Sequence, residues 1–360
     1  MKLVVFGLTI SSSWGNGHAT ILRGLFRALA ELGHHIVFFE RDVPYYASHR
    51  DLWAVPNGEL HLYSDWPEVV GLARLELADA DVAMVTSYCP DGIAASDLVC
   101  DCNALHVFYD LDTPVTLSHL RKGESLSYLP AAGLGAFDLV LSFTGGGALD
   151  ALRLELGARR VAPLYGSVDP EKHQPTAPSE RYRNDFSYLG TYAADRQPAL
   201  EELLLQPARQ LPAKRFLIAG AQYPQDFPWS PNIYFVRHLI PDEHPTFFSS
   251  SRLTLNVTRA TMAGMGWCPS GRLFEAAACA TPLVSDWWEG LDEFFTPGEE
   301  ILVAQTSNDT VAALELSEAE LNRISRAARE RALAEHTARA RAAELEQLLA
   351  NARQPEVVPC

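Results

Sequence analysis

Residues 3–40, LVVFGLTISSSWGNGHATILRGLFRALAELGHHIVFFE, carry the alternation that decides the fold. Leu3 to Leu8 is a short apolar run, as a strand covered on both faces requires. A Gly/Ser-rich loop, Ser11 to His18, follows it. Ile21, Leu25 and Leu29 then recur at helical spacing, with Leu22 and Phe26 beside them. Gly33 stands where a helix stops, and His35 to Glu40 is the next strand. This is a βαβ unit. Outward from it, Val82–Thr86, Ala104–Tyr109 and Leu139–Phe143 read as further strands with turns between them. Such alternation predicts a parallel sheet with helices on both faces.

At roughly 150 residues per domain, 360 residues suggest two domains. The texture changes at Pro163 to Asp185, PLYGSVDPEKHQPTAPSERYRND, which is rich in Pro, Ser and charge without apolar period and reads as an interdomain linker. A second alternation follows, with strands at Phe186–Leu189, Phe216–Ala219, Ile233–Val236, Leu253–Val257, Leu283–Ser285 and Ile301–Ala304. A long helical region closes the chain from Ser317, where Ser317 and Glu320 spell a capping box ahead of Leu321, Ile324 and Ala328.

Composition narrows the classes of function. A net charge of −16 argues against binding nucleic acid or an anionic membrane, both of which need basic surface. With 48% hydrophobic and 21% charged residues the chain is an ordinary globular one. Six cysteines (Cys89, Cys100, Cys102, Cys268, Cys279, Cys360) are too sparse for a disulfide scaffold, and no CxxC pair or His-rich run suggests a zinc site. The opening MKLVVFGLTI is too short in its apolar part for a signal peptide and runs into a polar loop. No uncharged apolar run approaches the roughly 18 residues of a membrane span. The expectation is a cytoplasmic protein.

Open parallel sheets bind ligands beyond the carboxyl ends of their strands, so two such halves facing each other would make one deep cleft. The loop after the first strand contains Trp14, Gly15, Asn16 and Gly17, and His18 opens the helix behind it. A histidine there can take a proton from an incoming hydroxyl, or it simply caps the turn. The spacing is not G-x-G-x-x-G, because Thr20 holds the third position. Glu40, 23 residues after Gly17, keeps a dinucleotide site thinkable. The strand at Ala104–Tyr109 ends in Asp110-Leu111-Asp112-Thr113-Pro114. Asp112 can orient a base, bind a sugar hydroxyl or act as base, or it forms only an Asx turn. Thr144-Gly145-Gly146-Gly147 is a backbone-approach site or a tight turn.

In the second half Gly190, Thr191 and Tyr192 follow a strand, with Arg196 nearby: bare N–H groups and a cation suit a diphosphate. Residues 256–286, NVTRATMAGMGWCPSGRLFEAAACATPLVSD, run from a strand through Arg259 to Ser270-Gly271-Arg272 at a helix start, with Glu275 one turn in. A carboxylate there can accept both ribose hydroxyls of a nucleotide, and the helix start and Arg272 suit phosphate. Trp14, Trp267, Trp287 and Trp288 are stacking candidates, although tryptophan is more often core.

The segment S-G-R-L-F-E-A-A-A-C-A-T-P-L-V-S-D, followed by W-E-G-L-D-E-F-F-T-P-G-E-E-I-L-V, resembles the nucleotide-binding core of GT-B glycosyltransferases, and is most similar to the spore-maturation CgeB-like family. The likeness extends to S-S-W-G-N-G-H-A-T, F-Y-D-L-D-T-P-V-T and Y-L-G-T-Y-A-A-D-R-Q-P. It implies two Rossmann-like α/β domains facing each other across a cleft: an acceptor-binding domain at 1–165, a sugar-nucleotide domain at 178–330, and a helix at 331–360 returning to the first. On this resemblance Glu275 holds the donor ribose, and Arg259, Arg272 or Arg196 meets the diphosphate. Two departures matter. Ala280 stands where such cores commonly have Gly, and Trp267 replaces the first Glu of an E-x(7)-E pair, so stereochemistry does not carry over.

The expected activity is transfer of a sugar from a nucleoside diphosphate sugar to an unidentified hydroxyl acceptor, with no metal or other cofactor. Arginines and a helix N-terminus can hold the leaving group, and Asp110-Leu111-Asp112 has the letters of a DxD site but lies in the acceptor half. His18 is the expected base, with Asp112 its competitor. The alternatives are a GT-B-fold sugar-nucleotide epimerase, a non-catalytic spore or envelope assembly protein, and, on weaker support, a nicotinamide oxidoreductase.

Overall fold

The computed structural model describes residues 1–354, so Cys360 and the end of the 331–360 segment lie outside the described residues. The chain divides into two compact units. One comprises Met1–Tyr165 together with the stretch that begins at Ala338, the other Gly166–Thr337.

The first unit contains seven parallel strands: β1 (Lys2–Gly7), β2 (His35–Arg41), β3 (Gly58–Tyr63), β4 (Val82–Thr86), β5 (Leu105–Asp110), β6 (Leu139–Ser142) and β7 (Val161–Pro163). They lie in the order β3-β2-β1-β4-β5-β6-β7, so the winding reverses between β1 and β4. The helix Gly17–Glu31 turns Ala19, Leu22, Leu25, Phe26 and Leu29 inward, and Asn16 caps it by accepting from the His18 N–H at 3.1 Å. Strands β3 and β7 were not expected from the sequence. Both are sheet edges with half-buried residues, and they lack the continuous apolar run that marks a strand buried on both faces.

The second unit has six parallel strands: β8 (Phe186–Leu189), β9 (Phe216–Gly220), β10 (Ile233–Arg237), β11 (Thr254–Asn256), β12 (Leu283–Ser285) and β13 (Leu302–Val303). Their order is β10-β9-β8-β11-β12-β13, with the reversal between β8 and β11. Its own core gathers Phe186, Leu204, Ile218, Leu255 and Val284.

Two boundaries differ from the sequence reading. The linker expected at Pro163–Asp185 is not a free tether: from Gly166 it belongs to the second unit. Val168 bridges Thr337, Asn184 bridges Ser251, and His173 is buried. A few anchors sit in a stretch whose Pro and charge hide them. The closing helical region is two helices, Glu318–Glu335 and Ala338–Ala352, broken where Thr337 joins the bridge to Val168. The chain therefore re-enters the first unit at Ala338, not at 331. There Ala338, Ala342, Leu345 and Leu349 join the cluster of Leu22, Leu25 and Leu29. At the start of the first of these helices Ser317 accepts from the Glu320 N–H at 3.2 Å, but the Glu320 carboxylate pairs with Arg323, so only half of the capping box is made. No helix among the described residues is long and apolar enough to cross a membrane.

Candidate active site

In open α/β sheets the ligand crevice lies outside the carboxyl ends of the strands where the winding reverses. In the first unit that point is flanked by the loops after β1 and β4. The loop after β1 is held by Glu40, at the end of β2. Its carboxylate is 1% exposed and accepts from Thr9 Oγ1 at 2.6 Å, Ile10 N at 2.9 Å, Ser11 N at 3.0 Å and the Ser11 hydroxyl. Four donors occupy it, so Glu40 fixes the loop instead of binding a ribose, and the dinucleotide reading loses its acidic residue. Gly15 turns the loop at φ +60°. Trp14 stacks on His49 at 3.8 Å between ring centres.

His18 sits in the first turn of its helix, half-buried, with Nε2 3.7 Å from Asp112 Oδ2. Its ring lies nearly parallel to Tyr88 (6.0 Å, 18°) and edge-on to Phe143 (6.2 Å). Asp112 opens the helix Thr113–Arg121, yet its side chain makes no capping bond; the Val115 and Thr116 N–H groups bond to its backbone oxygen instead. An Asx turn therefore does not use its carboxylate. Tyr88 does, donating from its hydroxyl to Asp112 Oδ2 at 2.8 Å. Asp110 has different partners. It is fully buried, accepts from Asp112 N and Thr116 Oγ1 at 3.1 Å each, and has Oδ2 without a partner among the described residues. Burial pushes its carboxyl up to about 6. Thr144 N–H bonds back to Ser142 Oγ at 3.1 Å, which makes that loop a tight turn.

In the second unit the reversal lies between the loops after β8 and β11. At Gly190 a Cβ would come within 2.6 Å of the Tyr188 hydroxyl oxygen, so the strand end has room only for glycine. Arg196 donates through one terminal nitrogen to Thr191 O at 3.2 Å, while its Nε is buried without an acceptor among the described residues. Arg259, expected to meet a diphosphate, donates through Nε to Asp195 Oδ2 at 3.1 Å. The loops are thus brought together, with one guanidinium partly neutralised. Tyr192 packs on Tyr223 and Phe227. After β12, Asp286 accepts from the Thr258 N–H at 2.9 Å and the Thr258 hydroxyl at 3.0 Å.

The helix Gly271–Ala278 is capped by Ser270, which accepts from Arg272 N at 3.3 Å. Glu275 lies on its buried side, 2% exposed, with Arg272 at 3.3 Å, His244 Nδ1 at 3.5 Å and His173 Nε2 at 4.0 Å from Oε2. Burial pushes this carboxyl upward, but Arg272 and the two imidazoles outweigh it and hold it well below the usual carboxylate range. Burial also lowers His173 and favours its neutral form. His173, His244 and Glu275 have metal-ligand spacing, but the Arg272 guanidinium lies against the same carboxylate and already supplies the opposing charge. Neither histidine was found from sequence: each stands alone in the chain, and only the fold brings them to Glu275. Tyr88 was missed for the same reason. Of the tryptophans, Trp288 is core at 2% exposure, Trp287 is 45% exposed, and Trp267 takes φ +41° with its ring packed under Gly290.

Residues 196–347 match the family described as glycosyl transferase-like. Comparison with curated protein sequences finds no match. Among solved structures, the sucrose-phosphate synthase of Thermosynechococcus elongatus superposes with a TM-score of 0.67 at 15% identity, over 98% of this chain and 99% of that one. Anabaena HepE, solved with UDP and glucose, gives 0.67 at 13% identity over 98% of this chain and all of its own length. An α-glucosyltransferase solved with UDP-glucose and DNA containing an abasic site gives 0.66 at 13% identity, over 97% of this chain and 99% of that one. These likenesses establish the two-domain GT-B fold over nearly the whole chain. The family match itself covers residues 196–347, less than half of the chain.

Proposed function

We propose that the chain moves a sugar from a nucleoside diphosphate sugar to a hydroxyl of an acceptor, as a member of the CgeB-like branch. The observation that carries this reading is the pairing of His18 Nε2 with Asp112 Oδ2, 3.7 Å apart, at the strand reversal of the first sheet. His18 takes the proton from the acceptor hydroxyl, and Asp112 steadies the imidazolium that forms. The acceptor oxygen bonds to the anomeric carbon as the bond from that carbon to the diphosphate oxygen breaks. The second unit holds the donor. Arg196 and Arg272, each with an Nε that has no acceptor among the described residues, take the leaving diphosphate without a metal ion. As Arg272 turns to the phosphates it releases Glu275, whose ionised carboxylate then accepts the ribose hydroxyls. UDP-sugars are the first donors to try, because HepE and the α-glucosyltransferase were solved with UDP-glucose or its parts.

Calorimetric titration with UDP tests the donor half. Glu275→Ala is expected to weaken binding by about 1–3 kcal/mol, the scale of a hydrogen bond to a charged acceptor; unchanged affinity removes Glu275 from the ribose. His18→Ala tests the chemistry, with UDP release from UDP-glucose expected to fall at least about a hundredfold. UDP-glucose consumed in the absence of any acceptor, with a new sugar nucleotide as product, would favour the epimerase reading instead.

A further inference from the structure

Tyr88 follows β4, across the strand reversal from His18. It is not glycine, yet its φ is +66°, in the left-handed region where an aromatic residue is an outlier. Such strain persists only where the surroundings over-determine it, and it gathers at functional sites. Here the surroundings are visible. Ser87 N–H donates to Tyr109 O at 3.0 Å and Ser87 Oγ accepts from Leu111 N–H at 2.9 Å, which stitches the ends of β4 and β5 together and sets the kink. The ring carried by the kink leans on Tyr128, 5.3 Å between centres, and lies nearly parallel to the His18 imidazole. Its hydroxyl donates to Asp112 Oδ2 at 2.8 Å, the same oxygen that faces His18 Nε2. Burial and the Asp112 carboxylate both push the phenol upward, so it stays a donor. The turn alone does not call for tyrosine, since glycine takes this backbone conformation without strain.

We propose that Tyr88 is a positioning residue for glycosyl transfer: its hydroxyl fixes the Asp112 carboxylate and its ring face fixes the His18 imidazole, so that base and carboxylate meet in one geometry. This rests on the reading of His18 as the base. Tyr88→Phe keeps the ring and the strain and loses only the hydroxyl. With UDP-glucose as the probe, kcat for UDP release is expected to drop about tenfold with KM unchanged, as for an interaction made in the transition state.

Tyr88→Ala and Tyr88→Gly both lose the ring, but glycine relieves the backbone. The glycine variant should melt above the alanine variant while both turn over equally poorly. Wild-type kcat in Tyr88→Phe overturns the proposal, as does a glycine variant whose turnover recovers along with its stability. His18→Ala, assayed beside them, separates the two readings. An active His18→Ala sinks the base assignment itself, whereas an inactive one beside a fully active Tyr88→Phe sinks only the role of Tyr88. The His18 ring resonance in NMR spectra needs no turnover: it moves in Tyr88→Phe if the hydroxyl sets the carboxylate against the imidazole, and staying in place counts against the proposal.

Discussion

Ala280 shows how one methyl group opposes the backbone around it. It follows Cys279, the C-cap of the helix Gly271–Ala278, and takes φ +55°. Its N–H bonds to Ala277 O at 2.9 Å and that of Thr281 to Ala276 O at 3.0 Å, the paired bonds of a Schellman ending. The residue after the C-cap in that ending is left-handed, where a Cβ costs about 1–2 kcal/mol and glycine fits freely. Glycine regains part of this deficit as extra freedom in the unfolded chain. Ala280→Gly is therefore expected to stabilise the second unit by about 1 kcal/mol, a rise of about 2–4 °C in melting temperature for a unit of this size. A lower melting temperature by calorimetry would mean that the methyl group packs better than the backbone is strained.

Between elements, Asp286 ties the end of β12 to the loop after β11 by accepting the Thr258 N–H and hydroxyl. Burial pushes its carboxyl up to about 6, against about 3.9 in an unfolded chain. The folded protein thus holds this proton more tightly than the unfolded one. The group's contribution to stability is complete below about pH 4 and is lost as pH climbs through about 6. Asp286→Asn lacks that loss, so relative to the wild type it should gain about 1–3 kcal/mol between pH 4.5 and pH 7.5, read from urea midpoints. A constant difference across that range would show that Asp286 does not titrate there.

Elements also mark what the sequence reveals. Strands covered on both faces, β1, β4 and β8 among them, are continuous apolar runs and can be read directly. The edges β3 and β7 cannot, because a half-covered strand needs no such run. His18, Asp112 and Glu275 stand out because they follow strand ends or open helices, where ligands bind. Glu40 stood out as well, but its four bonds to the loop after β1 could not be foreseen, and Tyr88, His173 and His244 acquire their partners only through long-range packing.

At the scale of the whole chain, the residues from Ala338 onward leave the second unit and complete the first. The helix Ala338–Ala352 sets Ala338, Ala342, Leu345 and Leu349 against Leu22, Leu25 and Leu29 of the helix that carries His18. Leu345 is 1% exposed and Leu349 fully buried, so each is a core side chain despite its distance in sequence from the residues it touches. Truncating a buried leucine to alanine costs about 2–5 kcal/mol, by lost transfer energy and by the cavity left behind. Leu349→Ala should place that cost in the first unit. In hydrogen exchange, amides of β1, β2 and β4 lose protection, while those of β8, β9 and β11, which pack on a separate core, keep theirs. The helix that begins at Gly17 loosens with its partner, so on the proposed roles of the two units turnover through His18 should fall at temperatures where UDP binding by the second unit is still intact. Equal loss of protection in both sheets would instead make the two cores one cooperative unit, and the closing helix a support for the whole molecule.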